Sequence, residues 1–330
     1  MLMELAAGRK GTAGGTNPIG KALTTVVSYP DRDPEDNKYG DPGWRGNCSG
    51  LFFRDVLLWY WQHHFRGRSI RVADPMSGSG TTGDVCTELG LEWDGYDLNP
   101  APRRGLGGWN ARRDEFGRAV DFVFVHPPYW NIIQYSRTQW KNRTPNPDDL
   151  SEITDYYEFI QALNECHLRM FSDLRLGGIM ALLVGDVKSK GQLYSMQRDL
   201  AWLGTPKQIV IKTQHNCSSD KIAYKSKAFI PIRHEYLLVF ERRPGMTTSI
   251  KRSVTIDYDL TSWEQATWKS LVRWAMEQLG GSAHLSALYK KLGKTKKAQK
   301  NPTYDATIRR TLQECPDFTA CGDGVWRLVA

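Results

Sequence analysis

Three side chains with chemistry to offer close short runs that read as strands. Asp74 follows Ile70-Arg71-Val72-Ala73, Asp97 follows Trp93-Asp94-Gly95-Tyr96, and His126 follows Phe122-Val123-Phe124-Val125. His126 opens His126-Pro127-Pro128-Tyr129, a poor continuation of a strand because proline lacks the N–H that a ladder needs. It suits a rigid acceptor site instead. The exocyclic amine of a nucleobase is a weak nucleophile, since its lone pair is delocalised into the ring. Help comes when a side chain accepts one N–H and a fixed backbone carbonyl accepts the other. Nitrogen can then become tetrahedral as it attacks a sulfonium methyl. The fixed φ of Pro127 and Pro128 would hold such a carbonyl still. His126 would be the side-chain acceptor, and Tyr129 could stack on a base turned out of a duplex. A proline pair that merely ends a strand is the alternative; the polar Asn131, Gln134 and Ser136 that follow weigh against it.

Asp74 leads into Pro75-Met76-Ser77-Gly78-Ser79-Gly80-Thr81-Thr82. Gly78 and Gly80 permit a tight turn and the close approach of a ligand, while the next helix offers unpaired N–H groups. No Gly-Lys-Ser/Thr follows, so this is not a phosphate-gripping loop. Asp74 suits the ammonium of a methionine-like moiety. Asp97, seventeen residues after Gly80, lies where an acid accepts from a ribose diol. That logic fits NAD as well, so the turn alone leaves the cofactor open.

Alternating strands and helices must position these groups. Leu51 to Phe65 reads as a mostly buried helix, Ile70–Asp74 as a strand, Thr81–Leu89 as a helix, and Trp93–Asp97 and Val120–Val125 as strands. Asp155 to Leu174 carries helical spacing in Tyr156, Phe159, Ile160, Leu163, His167, Met170 and Phe171. Gly177-Gly178 should break to the apolar strand Ile179–Val184, with Gln208–Thr213 and His234–Phe240 as two more. Such alternation implies a mostly parallel sheet covered on both faces, with ligands beyond the carboxyl ends of its strands. Residues 1–38 read as a flexible segment rather than a secretion signal, 39–245 as the catalytic domain, 246–262 as a linker and 263–330 as a small second domain.

Composition is compatible with this. The 330 residues are 40% hydrophobic, with a mean hydropathy of −0.50 and no apolar run near the roughly 20 residues of a membrane span. The six cysteines form no C-x-x-C pair, which speaks for reduced thiols in a cytoplasm and against a metal site. Lys and Arg number 44 against 36 Asp and Glu, and 11 against 6 of these lie within residues 261–330. That region offers three helices and a hairpin, Phe318–Ala320 with Val325–Leu328, which is the winged-helix pattern. Ser282 should cap its second helix, and Leu279 should share the apolar face of its first with Trp268, Leu271, Val272 and Ala275.

The chain resembles the DNA amino-methyltransferases, which use S-adenosylmethionine to methylate adenine N6 or cytosine N4. Residues 74–82 look like their D-P-F-x-G-S-G-T-T motif, Tyr96-Asp97-Leu98-Asn99-Pro100 like G-x-D-x-N-P, and His126 to Tyr129 stands where they carry D/N/S-P-P-Y. The resemblance covers about residues 40–243. It implies a Rossmann-like class I α/β fold with a mostly parallel seven-stranded sheet. It also implies a cofactor site of Asp74, Pro75, Ser77, Gly78, Gly80, Thr81, Thr82, Asp97 and Leu98. Asn47 and Ser49 would stand at the cofactor's amino-acid end, and Asn110 would face its adenine.

The reading is therefore a site-specific enzyme of DNA methylation, acting on a flipped adenine ahead of cytosine, cytoplasmic and nucleoid-associated, without metal, and with a restriction endonuclease as a candidate partner. Lys225 and Lys227, in the loop 216–229, and Lys294, Lys296, Lys297, Arg309 and Arg310 in the winged-helix region would face DNA. An RNA amino-methyltransferase and a methyltransferase-like DNA-binding protein without activity are the alternatives. His126 departs from the family: only a neutral imidazole can accept a hydrogen bond. Activity should then fall below about pH 6, near the ordinary histidine pKa of about 6.5.

Overall fold

An apolar run with no polar alternation must be covered on both faces, and Val120–Val125 is buried at every position. The computed structural model describes residues 23–29, 38–141, 143–215, 230–244, 250–251, 259–262 and 265–329. Its strands are β1 (Val26–Ser28), β2 (Arg71–Asp74), β3 (Glu92–Asp97), β4 (Leu106–Gly107), β5 (Val120–Val125), β6 (Leu174–Ser189), β7 (Gln192–Ser195), β8 (Trp202–Leu203), β9 (Thr205–Thr213), β10 (His234–Glu241), β11 (Ile250–Lys251), β12 (Ser282–His284), β13 (Phe318–Gly322) and β14 (Val325–Leu328). The chain forms two compact units, Met1–Ser253 and Val254–Ala330.

The first unit is mixed α/β. Among the described residues one sheet runs β1-β9-β10-β6-β5-β2-β3-β4, with β7 pairing β6, nine strands where seven were expected. β10 is antiparallel to both neighbours, β7 is antiparallel to β6, and the remaining pairs are parallel. β1 comes from the stretch expected to be flexible, and it pairs in register with β9 from Val26 opposite Ile211 to Ser28 opposite Thr213. β11 lies in the expected linker and pairs with β8. The break expected at Gly177-Gly178 is an irregularity inside one long strand, where the pairing jumps from Leu174 opposite Val120 to Ile179 opposite Phe122. β6 begins directly after the Tyr156–Ser172 helix; Gly177 takes a positive φ of 76° and donates its N–H to the Arg242 carbonyl, while the Gly178 carbonyl accepts the Arg242 N–H.

Helices cover both faces. Asp155 caps Tyr156–Ser172 by accepting the N–H of Tyr157 and Glu158, and the buried side from Tyr156 to Phe171 packs on one face of the sheet. On the other face Gly50–His63 presents Leu51, Phe52, Phe53, Val56 and Leu57. A fully buried side chain of this size contributes about 1.5–3 kcal/mol. Among the described residues no helix is long and apolar enough to cross a membrane. The chain passes from β2 out through β3 and β4, then returns to lay β5 on the other side of β2. The strand order therefore reverses between β2 and β5, where open α/β sheets gather their ligands.

The second unit holds helices Trp268–Glu277, Leu285–Leu292, Lys296–Gln299 and Tyr304–Glu314 and a three-stranded antiparallel sheet, β12-β14-β13. Leu271, Val272, Ala275, Met276, Leu288, Leu292, Ile308 and Leu312 fill its core. Leu279, expected in that face, is exposed beyond the helix end. Ser282 does not cap the second helix. It lies in β12, and His284 Nδ1 accepts the Ser286 N–H as the cap.

Candidate active site

β2 delivers Asp74 to the reversal point, and the turn to the Thr81–Leu89 helix is closed by its own acids. Asp74 Oδ1 accepts the Met76 N–H at 3.0 Å, and Asp97 Oδ2, from the end of β3, accepts the Gly78 N–H at 2.7 Å. Asp97 Oδ1 accepts the Asn99 N–H at 2.8 Å. Each carboxylate oxygen keeps a further lone pair. Gly78 has φ +47°, and a Cβ there would meet Trp44 at 3.4 Å, so the turn offers backbone to the cleft. Burial lifts the Asp74 carboxyl to about 7 and that of Asp97 to about 6, against hydrogen bonds that favour their ionised forms. A bound cation or diol would lower both.

A cleft of about 940 Å³, counted out to its open mouth, brings Asp74, Gly78 and Asp97 together with His126 and Pro128. Pro75, Ser77, Thr81, Thr82, Leu98, Asn47 and Asn110 line it as well. Asn47 Oδ1 accepts from Ser79 and Thr81, fastening the loop before the first helix to the glycine turn. Asn110 Oδ1 accepts the Arg112 N–H, but its buried Nδ2 has no partner among the described residues.

Four expected site residues lie elsewhere. Ser49 is the N-cap of Gly50–His63, its hydroxyl accepting the Phe52 N–H. Gly80 caps the Thr81–Leu89 helix with φ +80° and faces Arg103 and Arg104 rather than the cleft. Pro127 is buried beneath the tetrad. Tyr129 does not line the cleft; its hydroxyl donates to Glu235 Oε1 at 2.8 Å, and its ring stands edge-on to His126. A Cβ at Gly185 would come within 2.7 Å of Tyr129 Cε2, so that glycine makes room for the ring. Lys225 and Lys227 lie outside the described residues. Lys294, Lys296, Arg309 and Arg310 are exposed on the second unit, and half-buried Lys297 lies over the Trp268 ring.

The aromatic rings on the cleft wall are Trp44, Trp109, Phe124, Tyr135 and Trp140, with Trp44 and Tyr135 stacked at 6.3 Å. Trp140 and Asp149 belong to the polar loop after the tetrad. A tryptophan inside the turn-rich stretch 39–47 was the signal for Trp44; aromatic residues in loops more often serve ligands than cores. Trp130, directly after the tetrad, holds a left-handed φ of 51°, fixed by packing on Tyr156 and Tyr194 and by its Nε1–H to the Ile153 carbonyl. Behind His126 lies a buried charge pair, Lys212 with Glu235, which was legible only as single charges inside apolar strands. Burial moves the His126 pKa below 6.5, with Glu235 pulling it up and Lys212 pushing it down.

No protein-family model matches the chain, and no curated protein matches it. Solved structures do. A class I S-adenosylmethionine-dependent methyltransferase candidate from Listeria monocytogenes aligns at 12% identity and a TM-score of 0.34, covering 60% of each chain. TrmN from Thermus thermophilus aligns at 17% and 0.34, covering 60% of this chain and 50% of its own. A DNA modification methylase candidate, also from Thermus thermophilus, aligns at 20% and 0.27, covering 52% and 62%. This chain thus spans between half and two-thirds of the length of these proteins. Other similar structures were solved with S-adenosylmethionine or S-adenosylhomocysteine bound.

Proposed function

We propose that the first unit transfers a methyl group from S-adenosylmethionine to the exocyclic amine of a base flipped out of DNA, adenine ahead of cytosine. The observation that carries this reading is the shared cleft: the two acids of the glycine turn and the His126 imidazole meet at the reversal between β2 and β5. The residues suit the cofactor. Asp74 can pair with the methionine ammonium, Asp97 retains lone pairs for a ribose diol, and the unpartnered Asn110 Nδ2 can donate to an adenine ring.

The bound cofactor supplies a sulfonium-activated methyl group. His126, on the cleft wall, accepts one N–H of the base amine and exposes its lone pair for attack. With the donor held there, the amine nitrogen would take up the methyl group while the bonding pair left with the donor, and the N–H proton would pass to neutral His126 or to water. Since Tyr129 is tethered to Glu235, the base stacks against the wall of Trp44 and Tyr135 instead. The second unit, read as a winged helix, would hold the duplex through the exposed Lys294, Lys296, Arg309 and Arg310.

Transfer of tritiated methyl to duplex DNA and to structured RNA, by the wild type and by His126→Ala, tests this. Labelled DNA that loses its label with His126→Ala supports the reading, whereas label in RNA alone makes the substrate RNA. Failure to bind S-adenosylhomocysteine in calorimetry would leave the non-catalytic DNA-binding alternative.

A further inference from the structure

Behind the tetrad lies a chain of polar groups whose protons can be counted. Glu235 on β10 stands opposite Lys212 on β9 in the antiparallel register. Their side chains are 7% and 11% exposed, and Lys212 Nζ lies 2.7 Å from Glu235 Oε2. Desolvating an ion pair costs several kcal/mol per ion, so an apolar pair would serve stability at least as well. The other carboxylate oxygen points at the tetrad. Glu235 Oε1 accepts the Tyr129 hydroxyl at 2.8 Å, and the same Tyr129 oxygen is 3.0 Å from His126 Nε2.

Each link constrains the next. Burial alone would raise the Glu235 carboxyl, but the Lys212 charge, aided by His126 and two hydrogen bonds, brings it down to about 2, so it is a carboxylate and accepts only. The single Tyr129 proton therefore lies toward Glu235, and the tyrosine oxygen presents a lone pair to the imidazole. Nε2 must be the donor in that contact. Burial keeps the ring neutral, and a neutral imidazole carries one N–H, which leaves Nδ1 bare. Every polar contact of His126 among the described residues runs through Nε2, while the residue lines the cleft.

We infer that Lys212 and Glu235, acting through Tyr129, lock His126 as the Nε2–H tautomer and make Nδ1 the atom that accepts the amine's N–H. The second half of this assignment rests on the proposed role of His126; the lock does not. The opposite tautomer would present a donor to a donor and hold the amine away. Lys212 and Glu235 are thus positioning residues, remote from the reacting atoms.

The test is long-range proton–nitrogen NMR of the full chain labelled with ¹⁵N-histidine at pH 8. The chain has seven histidines, and the His126 signals are those lost in His126→Asn. The lock requires a protonated Nε2 and a bare Nδ1. Tyr129→Phe removes the acceptor, so the two tautomers should mix. The double variant Lys212→Met with Glu235→Leu keeps the volume and removes both charges, so it folds even if single changes do not. There the Tyr129 proton is released toward Nε2 and the tautomer should reverse. In the double variant kcat should fall by about tenfold or more, with KM for S-adenosylmethionine within about twofold. A wild-type Nδ1–H, or signals unchanged in both variants, overturns the lock. Absent binding of S-adenosylhomocysteine would instead overturn the amine-accepting role of Nδ1, with the NMR still reporting the lock.

Discussion

Replacing Asp74 with asparagine should stabilise the ligand-free protein while weakening its hold on the cofactor. The carboxyl is 5% exposed, and burial raises it from 3.8 to about 7, with hydrogen bonds from Thr82 and Met76 opposing. A shift of about three units is worth about 4 kcal/mol. Because the folded pKa is the higher one, the fold gains from this group below pH 4 and loses that gain as pH rises through 7. The resulting penalty is about 2 kcal/mol at pH 5 and about 4 kcal/mol at pH 8. Asparagine keeps an acceptor for the Met76 N–H and carries no charge to desolvate. At about 2–4 °C per kcal/mol for a unit of this size, Tm should rise by about 8–16 °C at pH 8 and about half that at pH 5. Scanning calorimetry of ligand-free wild type and variant reads this from the transition of the first unit. Titration with S-adenosylhomocysteine at pH 8 should show affinity reduced about 10- to 100-fold, the worth of a charged hydrogen bond. A Tm gain that ignores pH, or an unchanged affinity, would refute the assignment of Asp74 as the ammonium partner.

Three other outcomes are expected. The dependence of kcat on a neutral His126 should set in at a lower pH than an ordinary imidazole would give, because burial depresses its pKa; half-loss of kcat at about pH 6.5 or above, with cofactor saturating, would contradict this. Gly185→Ala places a Cβ 2.7 Å from Tyr129 Cε2; it should cost about 1–3 kcal/mol in denaturant unfolding and lower kcat more than it raises KM. Changing Lys294 and Lys296 together to alanine should reduce the slope of log affinity for duplex DNA against log salt by up to about two. An unchanged slope would remove these side chains from the interface.

What the sequence displayed and what it hid have one physical cause. Strand ends that terminate in Asp74, Asp97 and His126 are visible because a polar group closes an apolar run, and the sheet order then brings them together. Partnerships between distant strands leave no such mark. Glu235 and Lys212 each looked like a stray charge in β10 and β9, and only the antiparallel register sets them opposite one another. Tyr129 read as a stacking ring because its hydroxyl acceptor lies 106 residues away. Ser49 read as a cofactor ligand although serine before a helix is first of all a cap. β1 was hidden because three residues carry too little periodicity to stand out; pairing with the edge strand β9 makes them a strand.

Where the fold accepts unfavourable local states also bears on whether the cleft works as a site or is only a seam between loops. A scaffold free of function has no reason to bury Asp74 and Asp97 with carboxyls lifted to about 7 and 6, or to hold Trp130 at a φ of 51°. Left-handed backbone at a bulky residue costs about 1–3 kcal/mol and persists only where the surroundings over-determine it. Asp74 ends β2 and Asp97 ends β3 at the cleft, Trp130 follows the tetrad beyond β5, and the buried Lys212–Glu235 pair lies just behind His126. Elsewhere the faces of the sheet are packed mainly with apolar side chains, with His167 and Asp121 buried among them. Two acids buried in one cleft with raised carboxyls are a cost that a cationic or hydroxylated ligand would offset. Cofactor binding should therefore recover part of the stability, raising Tm of the wild type more than that of Asp74→Asn.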